Sequence, residues 1–200
     1  MLAMFDHASD VIYLVGFVIY VVTRGVYAGR TKTLETVEKR VDAAEYVLLV
    51  FVMIGSLLLP VLYLFTPLLN FANYSIPAWA LWAGVIVLVA ALWLFRRSHA
   101  DLGRNWSPTL EIRSEHQLVT HGVYRSIRHP MYTAIFLFSI AQALLLNNWL
   151  AGFAALVTFI PLYIVRRPRE ERMMIDRFGE EYEAYMRRTG RLLPRLTKAR

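Results

Sequence analysis

Two long stretches of the chain carry no Asp, Glu, Lys or Arg: one from Tyr46 through Phe95, the other from Met131 through Val165. A helix that crosses the hydrocarbon core of a bilayer needs about 20 apolar residues. The first stretch, 50 residues long, holds two spans and a connection. The second, 35 residues, is too long for one span and suits a tight helical hairpin. With the apolar run that precedes them, the pattern predicts five spans, at 11–27, 46–65, 78–95, 131–146 and 149–165. Helix breakers fall between them. Pro67, Asn70, Asn73 and Pro77 separate the second span from the third, and Asn147 and Asn148 form the turn of the hairpin. Pro60 and Pro161 lie inside spans, where neighbouring helices can satisfy the freed carbonyls. Arg24 interrupts the first span near its end, from where it can snorkel to the interface. A four-span arrangement without the first helix keeps the later orientation.

Beyond the last span, Met174, Phe178, Tyr182 and Tyr185 recur at spacings of four, four and three, which predicts an amphipathic helix over 168–188. Gly190 reads as its stop, and Pro194 ends the ordered pattern. Such a helix can also simply lie on the membrane surface. The segment 96–129 is polar enough to sit at the cytosolic surface. The fold class is therefore an all-α integral membrane protein of about five transmembrane helices with a cytosolic C-terminal amphipathic helix.

Composition agrees. The 200 residues are 57% hydrophobic and 18% charged, against about 45–50% and about 25% in a typical soluble domain. That excludes a disordered chain. The absence of cysteine excludes a disulfide framework, a thiolate zinc site and a cysteine nucleophile. The net charge of +7 would suggest nucleic acid in a soluble protein, but here its placement sets topology. Five of the 22 Lys and Arg residues lie in 24–40, six in 96–128 and eleven in 166–200, which accounts for all of them. With five spans these segments share one side, and the positive-inside rule makes it cytosolic. The N-terminus, with Asp6 and Asp10, is then expected outside and the C-terminus in the cytosol, across the inner membrane if the source is a bacterium. No cleavable leader and no nucleic-acid partner are expected; membrane lipids are.

The densest run of reactive side chains extends from His116 to Tyr132 and leads into the fourth span. Pro130 suits a first helical turn, because its missing N–H would be unpaired there anyway. A helix starting there offers free N–H groups and a positive dipole end beside Arg128 and His129, a combination that holds a small anion such as a carboxylate. Tyr124 and Tyr132 can offer ring faces to a cation. Arg128 and His129 also read as ordinary basic residues at a cytoplasmic helix end. His116, His121 and His129 are five and eight residues apart, which fits no single helical face, so no metal site is expected.

The second cluster is Arg166-Arg167-Pro168-Arg169-Glu170-Glu171. Arg166 and Glu170 share a helical face if the helix tolerates Pro168. The same residues also read as a basic flank with solvated carboxylates. If the fourth and fifth spans form a hairpin, both clusters meet at its mouth, half in water and half in lipid. That location suits a polar cofactor and a lipid-like substrate.

In these two clusters the chain resembles the isoprenylcysteine carboxyl methyltransferase and phospholipid methyltransferase superfamily of integral membrane enzymes. One signature is His-x-Leu-Val-x-x-Gly-x-Tyr-x-x-x-Arg-His-Pro-x-Tyr, from His116 to Tyr132. The other is Glu170-Glu171, then Phe178-Gly179-Glu-Glu-Tyr182-x-x-Tyr185, closing at Leu193-Pro194. The resemblance covers about the last 85 residues; the amino-terminal half matches only in being helical and membrane-spanning. It implies S-adenosyl-L-methionine as cofactor, held by His116, Leu118, Val119, Tyr124, His129, Pro130, Tyr132 and Glu170, and the anion-site reading adds Arg128 to them. It implies Arg166 at the substrate carboxylate; Glu170 is the second candidate catalytic group, as a base for an amine acceptor, and no metal is expected. Two departures are Ala134, where the family often has Gly, and Pro168 between Arg166 and Glu170. One membrane domain over 1–200 is expected, with a three-helix part at 1–95 and a cofactor-binding part at 96–200.

The expected activity is methyl transfer to a lipophilic small-molecule or lipidated acceptor, foremost carboxyl O-methylation of an isoprenylcysteine-type substrate. A phospholipid amine and a thiol are the alternative acceptors. An NADPH-dependent membrane reductase of related fold and a non-enzymatic membrane protein are the competing classes. Arg128→Ala and Glu170→Ala are expected to remove cofactor binding while the protein stays folded.

Overall fold

A computed structural model describes residues 8–31, 36–39, 42–107, 111–113 and 117–195. The described residues form seven helices and one short ribbon. The helices are α1 (Ala8–Thr31), α2 (Ala43–Met53), α3 (Leu59–Phe65), α4 (Ala78–Leu102), α5 (Pro130–Leu145), α6 (Trp149–Phe178) and α7 (Glu180–Arg188). The ribbon pairs β1 (Thr36–Lys39) antiparallel with β2 (Glu111–Arg113), an addition to the expected all-helical fold. A π-helical turn, Ile54–Leu58, joins α2 to α3, so Ala43–Phe65 runs as one apolar rod through Pro60.

Four described helices are long and apolar enough to cross a membrane: Ala8–Gly29, Ala43–Phe65, Ala78–Asn105 and Trp149–Phe178. The hairpin's first arm, α5, has 16 residues and is about 24 Å long at 1.5 Å per residue. It lies in the middle of the bundle, packed against α4 and α6, with α1 against α4 and α5 and with α2 against α6. Its apolar residues Ala134, Phe138, Ala141 and Leu145 are buried in that position.

The bundle is tied by buried polar side chains. Gln142 of α5 accepts from Tyr13 Oη of α1 (2.9 Å) and donates to the carbonyls of Gly55 (3.0 Å) and Ala151 (2.7 Å). Such bonds join helices whose apolar surfaces would otherwise be equally at home against lipid. A Cβ on Gly55 would lie 2.6 Å from Ala154 O, so only glycine lets the π-turn approach α6 this closely. Asn148 caps α6 through the Ala151 N–H (2.9 Å) and donates to Leu69 O (2.6 Å) and Asn73 Oδ1 (2.8 Å). The uncharged 66–77 connection and the Asn147–Asn148 turn therefore meet at one end of the bundle.

Three expectations change. The fifth span does not give way to a separate amphipathic helix at 168. Instead α6 runs unbroken through Pro161 and Pro168 to Phe178, and the chain turns at Gly179, whose φ of +53° favours glycine. Gly190 is more than a stop: its N–H donates to Ser126 O (3.0 Å) and its carbonyl accepts from Arg128 N (2.9 Å). Arg24, for its part, does not simply reach for the interface; its guanidinium lies 5.6 Å over the ring of Trp106.

Candidate functional site

The site lies where the approach to α5, the end of α6 beyond Val165, and α7 converge. The loop before α5 is shaped by Gly122, which has φ +57°. A Cβ there would fall 2.1 Å from Asp101 Oδ2. The Asp101 carboxylate accepts the Val123 N–H (2.9 Å) and pairs with Arg97 (2.8 Å), and so clamps the loop to α4. Tyr124 is thereby buried, its hydroxyl directed at Ser98 O (3.4 Å) and its own carbonyl accepting from Tyr185 Oη (2.7 Å). The 189–192 segment ties these elements together from outside the cavity. Arg191 O accepts from His129 N (3.0 Å), and Leu192 O accepts from Thr133 Oγ1 (2.7 Å).

These elements enclose a cavity of about 140 Å³. Leu118, Val119, Tyr124, Arg128, His129, Pro130, Tyr132, Arg166 and Glu170 all line it, so nine of the expected site residues share one wall. His116 lies outside the described residues. Sequence reasoning did not assign Trp106, Met131, Met173, Tyr182 and Tyr185 to the site, yet they line it too. The tyrosines carried a signal in the 3–4 periodicity of 168–188; Trp106 carried none, because it belongs to the loop after α4.

The carboxylates divide the work. Glu170 Oε2 accepts from Tyr132 Oη (2.6 Å), while its Oε1 lies 3.8 Å from His129 Nδ1, and the side chain keeps a third of its surface exposed. Glu171 turns the other way. Its Oε1 accepts from Arg128 Nε (2.9 Å) and His129 Nε2 (3.2 Å), and its Oε2 from Arg167 (2.8 Å). Burial alone would raise this carboxyl, but the hydrogen bonds from His129, Arg128 and Arg167 outweigh it and hold the group well below the usual carboxylate range. Arg128 also donates from Nη1 to Thr189 O (2.7 Å). It is thus built into the wall, with Nε and Nη1 both engaged by the protein. Burial pushes the Tyr182 and Tyr185 hydroxyls up, so both rings stay neutral.

A second, larger cavity of about 600 Å³ lies among α1, the α2 rod, α5 and α6. Its wall is apolar, with Phe17, Leu49, Val52, Ile135, Phe159 and Leu162 prominent. It shares Trp106, Ser107, Met131, Tyr132 and Arg166 with the smaller one. Arg166, only 11% exposed at its side chain, stands at that seam, 3.5 Å from Glu45 of α2. Among the described residues, those lining the smaller cavity fall between 102 and 185, whereas the larger draws one wall from 17–24 and 49–57.

A polar pocket beside an apolar cavity inside a bundle of membrane-length helices fits a class: a multi-pass integral membrane protein with separate polar and apolar cavities that share a border. Comparisons with known proteins point to similarity with one family. Residues 82–176 match the model of the isoprenylcysteine carboxyl methyltransferase (ICMT) family. The chain is 29% identical over 115 residues to the probable protein-S-isoprenylcysteine O-methyltransferase of Oryza sativa subsp. indica, a match over 56% of this chain and 60% of that one. It is 32% identical over 118 residues to the protein-S-isoprenylcysteine O-methyltransferase of Homo sapiens, over 58% of this chain and 42% of the human one. Among solved structures it is similar to the eukaryotic intramembrane Ras methyltransferase ICMT, with a TM-score of 0.52 and 27% identity over 78% of this chain and 54% of that one. The chain thus spans about half the length of these relatives. Over the matched region it is similar to the isoprenylcysteine carboxyl methyltransferase family.

Proposed function

We propose that the protein is an S-adenosyl-L-methionine-dependent methyltransferase of a lipophilic acceptor, in the first place an isoprenylcysteine-type carboxylate. The observation that carries this reading is the seam at Trp106, Ser107, Met131, Tyr132 and Arg166, where the polar and apolar cavities meet. The names of the relatives support the acceptor class.

The donor set of the smaller cavity fits the cofactor. Glu170, which accepts the Tyr132 hydroxyl at one oxygen and keeps a third of its side chain exposed, can accept from ribose hydroxyls or an ammonium group. The rings of Tyr124, Tyr182 and Tyr185 and the side chains of Met173 and Met174 offer flat or polarizable surface to a base and a sulfonium. His129 and the first turn of α5 would receive the carboxylate end. When bound, the cofactor supplies a methyl group activated on a sulfonium. The chain's own part is positioning. Arg166 would hold the acceptor carboxylate, and the larger cavity would take its lipid tail. A C-terminal carboxyl, with a pKa of about 3.3–3.7, is already ionised at neutral pH, so no general base is asked of the protein.

This reading divides the chain at about residue 95: 96–200 builds the cofactor pocket, and 1–95 adds the acceptor wall and completes five spans. The charge pattern favours a cytosolic site, with the 66–77 connection outside. Single-cysteine labelling checks that orientation. Ala72 is buried, whereas Phe71 is 74% exposed, so Phe71→Cys is the informative position. It is expected to label from the outside only; labelling from the cytosol would reverse the topology.

The function is tested by calorimetric titration of S-adenosyl-L-methionine into detergent-purified protein. Saturable binding is expected, and Glu170→Ala is expected to weaken it by about 10²-fold, the loss typical of a charge-assisted contact. Methyl transfer to prenylcysteine, phospholipid-amine and thiol probes then identifies the acceptor. Wild-type affinity in Glu170→Ala would remove the site assignment, and binding of NADPH instead would select the reductase class.

A further inference from the structure

The first turn of α2 contains a glutamate that nothing in the sequence signatures explains. Glu45 is completely buried, and neither of its carboxylate oxygens accepts a hydrogen bond. Among the described residues it pairs with Arg166 Nη1, at 3.5 Å. Three residues earlier Asp42 pairs with Arg169 at 2.8 Å on the outside of the same contact, so two pairs in register dock the end of α2 onto α6. A pair built only for stability would satisfy the carboxylate with hydrogen bonds, because a buried charge left partly unsatisfied carries a large desolvation cost. Among the described residues Glu45 has this long-range partner, the guanidinium that borders both cavities, without a hydrogen bond to its carboxylate.

We propose that Glu45 is a positioning residue, the resident counter-ion of Arg166, which an acceptor carboxylate displaces and which reclaims the guanidinium once the acceptor has become a neutral ester. The inference rests on the methyltransferase reading given above. Methylation forms an O–CH3 bond at the acceptor carboxylate and breaks the S–CH3 bond of the donor. The negative and positive charges vanish together, and no proton is released. A charged acceptor can compete with Glu45 for Arg166; its ester cannot. The pair therefore weakens acceptor binding somewhat and favours departure of the product, which a lipophilic ester in an apolar cavity would otherwise be slow to leave.

The test is titration of N-acetyl-S-farnesylcysteine and of its methyl ester into wild type, Glu45→Gln and Arg166→Gln, with S-adenosyl-L-methionine binding as the check on folding. Glu45→Gln is expected to tighten carboxylate binding by about tenfold, the scale of a close charge pair, and to lower the acceptor KM in parallel. Cofactor affinity is expected to stay the same. Asp42→Asn, which breaks only the exposed pair, is expected to leave acceptor affinity unchanged. Glu45→Asp retains the charge but shortens its reach, and is expected to give an intermediate gain. It carries the test if the glutamine variant does not fold. Unchanged or weaker carboxylate binding in Glu45→Gln, with Arg166→Gln impaired, overturns the counter-ion role alone. Wild-type carboxylate affinity in Arg166→Gln overturns the assignment of Arg166 itself.

Discussion

Replacing Glu171 with alanine is expected to cost the fold before it costs the chemistry. The carboxylate gathers Arg128, His129 and Arg167 within 3.2 Å, and its side chain is only 11% exposed. Without it, a buried guanidinium and a buried imidazole lose their shared acceptor. Removing one partner of such a buried pair typically costs about 3–5 kcal/mol. Arg128→Ala is expected to do similar damage, since Arg128 also holds the Thr189 carbonyl and so ties the chain after α7 to the start of α5. This revises the expectation that Arg128→Ala would spare folding. Thermal unfolding in detergent decides between them: a large fall in Tm for both variants is expected, and a wild-type Tm with lost cofactor binding would restore the simpler view. Arg167→Ala should cost less, because that side chain is 24% exposed.

The same network sets a pH dependence. The folded Glu171 carboxyl titrates below its ordinary value of 4.5, so the folded state binds fewer protons there than the unfolded one. Its stabilisation is complete above that value and is lost as the pH falls below it. Wild-type Tm is expected to drop on acidification from about pH 4.5 downwards. Glu171→Gln, already lower, is expected to show a shallower acid limb.

Removing the Arg166 guanidinium is expected to lower kcat/KM for a prenylcysteine carboxylate by about 10²-fold or more, the usual consequence of deleting a desolvated charge partner. Cofactor affinity should change little, since Glu170, His129 and the tyrosines are untouched. The choice of variant matters. Arg166→Ala leaves Glu45 buried without its cation and mixes instability with lost activity. Arg166→Gln combined with Glu45→Gln removes both charges and isolates the effect on turnover. Steady-state kinetics beside calorimetry reads the two separately, and normal turnover in the double variant would exclude Arg166 from the acceptor site.

The two signatures were legible for a local reason. Gly122 must be glycine because its φ is positive and Asp101 presses against it. Pro130 opens α5, and Arg166 and Glu170 share a face of α6 one turn apart. Such constraints act within a few residues and leave a readable pattern. Trp106 and Glu45 were not legible, because each meets the site through a contact with a distant part of the chain. Glu171 was visible in its cluster, but its separation from Glu170 into a structural role depends on which way each side chain turns. The run from Met174 to Tyr185 gave the right periodicity but hid the turn at Gly179, since a helical spacing survives a short break.

By itself, the sequence determined that the chain carries apolar helices of membrane-spanning length, where the connections between them fall and which family it resembles. Lipid imposes a length of apolar residues on every span, and that demand is written residue by residue. Only the tertiary structure decided that Glu171 braces the wall while Glu170 faces the pocket. It alone brought the amino-terminal half to Arg166 through Glu45, and joined a polar cavity to an apolar one at five shared residues. Those outcomes depend on side chains 38 to 121 positions apart meeting across packed helices, and no local pattern of polarity encodes a distance.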